Sequence, residues 1–243
     1  MYPSLYHAHH SRNAEDLSFW LELAAQLGDP VLELGCGTGR VLIPLVQGGY
    51  RCVGIDHDLA MLKFLQANLD PREKPVPQLI EADISYFYLA AKFPLIILPC
   101  NTLSTLDTDQ RRACLRCTCW HLQEGGTFAV SLPNPAALRR LPAKETSELE
   151  DEFFHPLSGN PVQVSSSWRK TMHTFTLTWT YDHLFPDGTV ERVNIDTVHQ
   201  LTSTEGYIDD IRSAGLKISA IYGDYDRSAY NTDSPSLIIL AYA

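Results

Sequence analysis

With 243 residues, 44% of them hydrophobic, the chain is long enough to bury one α/β core and carry an insertion. Its formal net charge of −10 argues against a phosphate backbone as partner, because that binding needs clustered Lys and Arg. No apolar run approaches the ~20 residues of a membrane span, residues Met1 to Tyr6 lack the regions of a secretory leader, and six cysteines without secretory features point to reduced thiols in a cytoplasmic protein.

In chain order, Asn13 is placed to cap a first helix in which Leu17, Trp20, Leu21, Ala24 and Leu27 keep helical spacing and Gly28 ends the run. Residues 1–28 therefore read as an N-terminal helical segment or lid, and 29–243 as the main domain. Val31 to Leu34 is a short buried strand running into Gly35-Cys36-Gly37-Thr38-Gly39-Arg40, a turn that opens a helix. Its glycines let the backbone approach a ligand, and its amides are expected to stay unpaired for a polar or anionic group. A dinucleotide fingerprint fails because its sixth position is Arg40, and a P-loop fails because no Gly-Lys-Ser/Thr follows.

Arg51 to Asp56 reads as a second strand ending in an acid about twenty residues past the glycines, where a ribose hydroxyl pair would be held. Asp56 equally suits an N-cap for the next helix, Leu59 to Leu69. Leu79 to Ile84 is a third strand with Asp83 near its end, and Phe93 to Leu98 a fully apolar fourth, followed by Pro99-Cys100-Asn101. Ligand-type residues at successive carboxyl ends follow the rule for open α/β sheets.

The pattern acidic-Leu-Gly-x-Gly-x-Gly after a strand resembles the first motif of the class I S-adenosylmethionine-dependent methyltransferases, and the likeness extends over roughly residues 12 to 132. The resemblance implies S-adenosylmethionine as cofactor and S-adenosylhomocysteine as product. It implies cofactor contacts from Gly35, Cys36, Gly37, Arg40, Asp56, His57, Asp83, Ile84 and Pro99, with Asp83 receiving the adenine amino group. Arg40 either pairs the donor's carboxylate or sits on the helix surface.

Further along, Asp107 to Leu122 is a helix, Gly125-Gly126 a turn, and Thr127 to Ser131 a fifth strand. From Pro133 to Pro161, five prolines and the acids Glu145, Glu148, Glu150, Asp151 and Glu152 break the pattern, giving a connection, lid or solvated loop with a short helix near Ala136 to Leu141. Phe175, Leu177, Trp179 and Tyr181 then alternate with threonines, which is strand spacing. With Val162 to Lys170 ahead, a turn at Pro186-Asp187-Gly188 and a return over Thr189 to Leu201, this makes a three-stranded antiparallel insertion at about 160–201. A capping box at Thr202 to Glu205 starts a helix that ends at Gly215, and Leu216 to Tyr222 with Ser236 to Ala241 closes the sheet. The expected fold is α/β: a Rossmann-like seven-stranded, mostly parallel sheet with helices on both faces and the inserted sheet. Such an insertion resembles glycine/sarcosine and sugar-amine N-methyltransferases, where the extra sheet covers the substrate or pairs two subunits; service to stability alone is the plainer alternative.

Methyl displacement from a sulfonium needs mainly proximity and orientation, and a base only where the acceptor is held protonated. No catalytic residue is assigned from sequence. Tyr6 and Asn101 are the expected substrate-binding residues, with His9 and His10 also near enough in sequence to Tyr6 to fold over the pocket. Pro99-Cys100 lacks the Glu-Asn-Val triplet that accompanies a cytosine-5 methyltransferase Pro-Cys. Cys114, Cys117 and His121 share a helix face, but no fourth ligand is in evidence, so packing is the expected role and no metal is expected; His7, His9 and His10 are read as terminal residues rather than ligands. The expected function is methyl transfer to nitrogen or oxygen of a small-molecule acceptor, without nucleic acid or membrane and with a homodimer as one arrangement. A non-catalytic S-adenosylmethionine-binding module is the alternative, and a nicotinamide-dependent oxidoreductase is disfavoured by Arg40.

Overall fold

A computed structural model describes residues 2–12, 15–70, 72 and 74–243; Asn13, the expected first cap, lies outside them. The chain opens with α1 (Tyr2–His10) and α2 (Leu17–Leu27). Strand–helix alternation follows: β1 (Val31–Leu34), α3 (Leu42–Gln47), β2 (Cys52–Asp56), α4 (Leu59–Asn68), β3 (Gln78–Glu81) and β4 (Phe93–Leu98). Next come α5 (Thr102–Thr105), α6 (Thr108–His121), β5 (Leu122–Pro133) and α7 (Pro135–Arg140). Four long strands form the insertion, β6 (Lys144–Phe154), β7 (Pro161–Lys170), β8 (Thr174–Leu184) and β9 (Val190–Gln200), before α8 (Thr204–Ser213), β10 (Lys217–Tyr222) and β11 (Ser236–Tyr242).

The main sheet has the order β10-β11-β5-β4-β1-β2-β3, and β11 runs antiparallel to both of its neighbours. This is the expected seven-stranded architecture. Because side chains alternate across a strand, each strand feeds two cores. Leu32, Leu34, Ile96, Leu98, Phe128 and Val130 pack toward Cys114 and Leu115 of α6 and Tyr207 and Ile211 of α8. Val31, Leu95, Ile97 and Ala129 pack the other way, against Phe19 and Trp20 of α2, Leu42 and Leu45 of α3 and Leu62 and Leu65 of α4. β4, at the middle of the order, is buried throughout. Among the described residues, no helix is long and apolar enough to cross a membrane.

The inserted sheet, order β6-β7-β8-β9, has one strand more than the three expected. The acidic stretch read as loop pairs antiparallel with β7 over Lys144 to Phe154, with two irregularities in register. Charged residues suit such an edge strand, where they discourage further pairing. The sheet's apolar face lies under α1: Leu5 is fully buried with Phe153, Val162, Val164 and Tyr181. His9 adds a 3.0 Å hydrogen bond to the Tyr181 hydroxyl. On its other side α1 meets the main domain through His7, whose Nδ1 lies 3.1 Å from the Thr38 hydroxyl and whose ring packs on Phe64. α1 thus bridges the two sheets above the strand tips.

Candidate active site

The strand ends converge on a cavity of about 640 Å³, within the usual range for cofactor pockets. Gly35 and Gly37, Asp56 and His57, and Asp83 and Ile84 line it from the tips of β1, β2 and β3. Gly35 has φ +70, and a Cβ there would stand 2.9 Å from Thr102 Cγ2, so the turn can pass under α5 only as glycine. Four amides of this turn are not unpaired as expected. Those of Gly35 and Cys36 bond to the Ile55 carbonyl, Gly39 to the Cys36 carbonyl, and Gly37 to Asp56 Oδ2 at 2.7 Å. The turn wraps the β2 tip instead of presenting a ring of free donors.

Asp56 is therefore gripped from both sides, Oδ1 accepting the Asp58 amide at 2.9 Å. The N-cap of α4 is Asp58, which accepts from Ala60 and Met61, and not Asp56. Each carboxylate oxygen retains a further acceptor site, so a fixed Asp56 can still receive two hydroxyls. Asp83 accepts the Ser85 amide at 2.7 Å and keeps the same spare capacity. Two oriented carboxylates on neighbouring tips, with no Cβ above Gly35 or Gly37, fit a nucleoside thioether.

A second cavity of about 360 Å³ opens beside the first and shares Tyr2, Tyr6, Cys100, Ile195, Thr197 and His199 as common wall. Its own lining includes His10, Glu15, Asn101, Leu177, Trp179 and Tyr225. The partition sits at Cys100 and Asn101, consecutive non-glycine residues at φ +60 and +64. That conformation is strained for both and recurs at functional sites. Burial dominates the ionisation here. It pushes the Tyr6 phenol up, lowers His10 to about 3 with help from His9 and Arg40, and lowers His199 to about 4.

Tyr6 lines both cavities and Asn101 the second. Cys36 and Pro99 are buried behind the wall; Cys36 fills the space over Gly54, and the Pro99 carbonyl accepts the Thr102 hydroxyl. Arg40 faces the second cavity and is held by Asp16 through two 2.6 Å bonds, with Cys100 Sγ 3.0 Å from its Nη2. His9 is turned away under the inserted sheet. His121 of the expected packing trio receives the Leu89 amide on Nε2, sets Nδ1 against the Cys117 carbonyl and stacks on Phe87, while Cys114 is fully buried. Sequence reasoning missed Tyr2, Glu15, Thr102, Ser104, His199 and Tyr225. For His199 a signal existed: Val193, Ile195, Thr197 and His199 keep one phase of β9, the inward one.

Comparison with known proteins agrees with this geometry. Residues 31–126 match the Methyltransferase domain family. A curated relative, cypemycin N-terminal methyltransferase of a Streptomyces species, is 23% identical over 218 residues, covering 88% of this chain and 82% of that protein. An S-adenosylmethionine-dependent methyltransferase from Clostridium acetobutylicum superposes with a TM-score of 0.81 at 18% identity, over 94% of this chain and 90% of that one. The sugar N-methyltransferase KedS8 from a Streptoalloteichus species superposes with a TM-score of 0.78 at 16% identity, over 100% and 92%. With its glycine turn and its acids at the tips of β2 and β3, residues 31–126 form a methyltransferase domain, and the chain has the fold of S-adenosylmethionine-dependent methyltransferases.

Proposed function

We propose that the protein transfers the methyl group of S-adenosylmethionine to an amine nitrogen of a small molecule. The observation that carries this reading is the meeting of two cavities at Cys100, one edged by strand-tip carboxylates and the other by aromatic rings. In this reading Asp56 receives the ribose hydroxyls, Asp83 and Ile84 take the adenine edge, His57 flanks the nucleoside, and the chain at Gly35 and Gly37 lets it lie close. The donor's tail then turns toward Cys100 and Arg40.

An amine is favoured over a hydroxyl by the charges around the second cavity. Glu15 and Asp16 against Arg40 leave one negative charge, and Tyr6, Trp179, Tyr181 and Tyr225 supply ring faces suited to a cation. Two relatives support the same direction by name, one an N-terminal methyltransferase and one a sugar N-methyltransferase. The cavity's size suits a small acceptor or the end of a larger one, and the six free thiols suit a cytoplasmic setting.

The test is a coupled assay for S-adenosylhomocysteine with matched panels of small amines and alcohols. Turnover confined to amines supports the reading. Turnover on alcohols alone moves it to oxygen, and binding of the cofactor with no turnover on either panel overturns it.

A further inference from the structure

Ser104 and His199 reach the partition between the cavities from opposite sides, Ser104 from α5 just past the strained Cys100–Asn101 pair and His199 from the end of β9. The Ser104 hydroxyl donates to the Asn101 carbonyl at 2.6 Å, and His199 Nδ1 lies 2.8 Å from Ser104 Oγ. Of the two acceptors in reach the Asn101 carbonyl is the nearer, and with the single hydroxyl proton placed on it Ser104 accepts from Nδ1. Nδ1 therefore carries the imidazole hydrogen, and Nε2 is left with a lone pair. His199 is 8% exposed and lines both cavities, and among the described residues no protein group bonds to its Nε2.

We propose that His199 Nε2 accepts the proton of the incoming amine, and that Ser104 is a positioning residue that fixes the tautomer which makes this acceptance possible. The inference rests on the reading of the site as methyl transfer to an amine. When bound, S-adenosylmethionine supplies an electrophilic methyl: the nitrogen lone pair forms the new N–C bond, the C–S electron pair returns to sulfur, and the proton displaced from nitrogen passes to Nε2. His199 then returns that proton to solvent.

The surroundings keep Nε2 ready. Tyr2, Tyr6 and His10 of α1 face the same space as neutral groups, Cys100 closes the floor, and Arg40 is paired with Asp16. Glu15 stands in the wall of the second cavity, and Asp196, on the opposite phase of β9, is engaged by Thr178 and Arg169. Phe175 covers the ring at 6.3 Å. With burial as the cause of its lowered pKa, His199 is neutral throughout the neutral range.

Two measurements test the proposal without knowledge of the natural acceptor. Nitrogen-15 NMR of histidine-labelled protein is expected to show His199 as the neutral Nδ1–H tautomer at pH 7, and Ser104→Ala is expected to lose that preference. A wild-type Nε2–H tautomer overturns the proposal. Sinefungin carries an amine-bearing carbon where the cofactor carries its methyl sulfonium, so its affinity relative to S-adenosylhomocysteine reads a contact beyond the sulfur position. That ratio is expected to fall about tenfold or more in His199→Phe, the loss of a hydrogen bond to a charged group, with S-adenosylhomocysteine binding unchanged. An unchanged ratio, or equal weakening of both ligands, overturns the role of His199 alone. Failure of the wild type to bind either ligand overturns the cofactor reading and this inference with it.

Discussion

Asp56 Oδ2 accepts the backbone N–H of Gly37 at 2.7 Å, and this one bond ties the tip of β2 to the turn that leaves β1. The carboxylate is consequently fixed before any ligand arrives, while the amides of Gly35, Cys36, Gly37 and Gly39 are satisfied within the protein. Recognition of the nucleoside then falls on the side chains of Asp56 and Asp83 and on the shape left by the glycines.

Asp56→Ala is expected to weaken binding of S-adenosylhomocysteine by about 1–3 kcal/mol, the loss of a charge-assisted hydrogen bond. It also frees the amides of Gly37 and Asp58, so the melting temperature should fall as well. Titration calorimetry alongside thermal melting checks both, and unchanged affinity removes Asp56 from the nucleoside site.

Gly35→Ala is expected to cost about 1–3 kcal/mol of stability, because an alanine is strained at φ +70 and its methyl meets Thr102 Cγ2 at 2.9 Å. Urea denaturation measures this. A midpoint equal to that of the wild type contradicts the packing of the turn beneath α5.

The first four strands and their ligand-bearing ends were legible because the information is local: a short apolar run, a glycine turn, an acid at the next tip. α1 was not legible as a helix. Its sequence has no apolar stripe, and it is held from outside, by Leu5 in the inserted sheet's core and His7 against Thr38 and Phe64. β6 was hidden by its acids, since an edge strand with most side chains exposed shows no period of two. Arg40 was recognised as a site candidate, but nothing in the local sequence says that Asp16 holds it. Ser104 and His199 stand 95 positions apart and meet only when the insertion folds back over the strand tips.

Glu33 lies on β1 at 2% exposure, and burial pushes its carboxyl well above the usual range despite a counter-pull from Arg40. The folded state therefore binds a proton that the unfolded state releases above ~4.3, and stability falls as pH rises past that value toward the folded pKa. Glu33→Gln removes this dependence, so its melting temperature should gain on the wild type between pH 4 and pH 8. A constant difference across that range contradicts a protonated Glu33.

Asp210 of α8 is buried against α6, where it accepts from Arg111 at 2.7 and 2.8 Å and from Arg112 at 2.8 Å. Burial opposes its charge, but the hydrogen bonds from Arg112 and Arg111 outweigh it and hold the carboxyl below its usual range. Its contribution is present above the unfolded value of ~3.9 and lost as pH falls through the lower folded one. Asp210→Ala strands the buried Arg111 and is expected to cost about 3–5 kcal/mol at pH 7. Denaturant melts at pH 7 and pH 3 check this, with the gap between variant and wild type narrowing at pH 3; a gap of the same size at both contradicts the pairing.

Diffraction from crystals grown with S-adenosylhomocysteine tests the central claim most directly. The expected map shows ribose at Asp56, adenine between Asp83 and Ile84, and sulfur directed at Cys100 with the second cavity open beyond it. A nucleoside bound elsewhere, or side chains filling the space above Gly35 and Gly37 in its place, contradicts the assignment of this site.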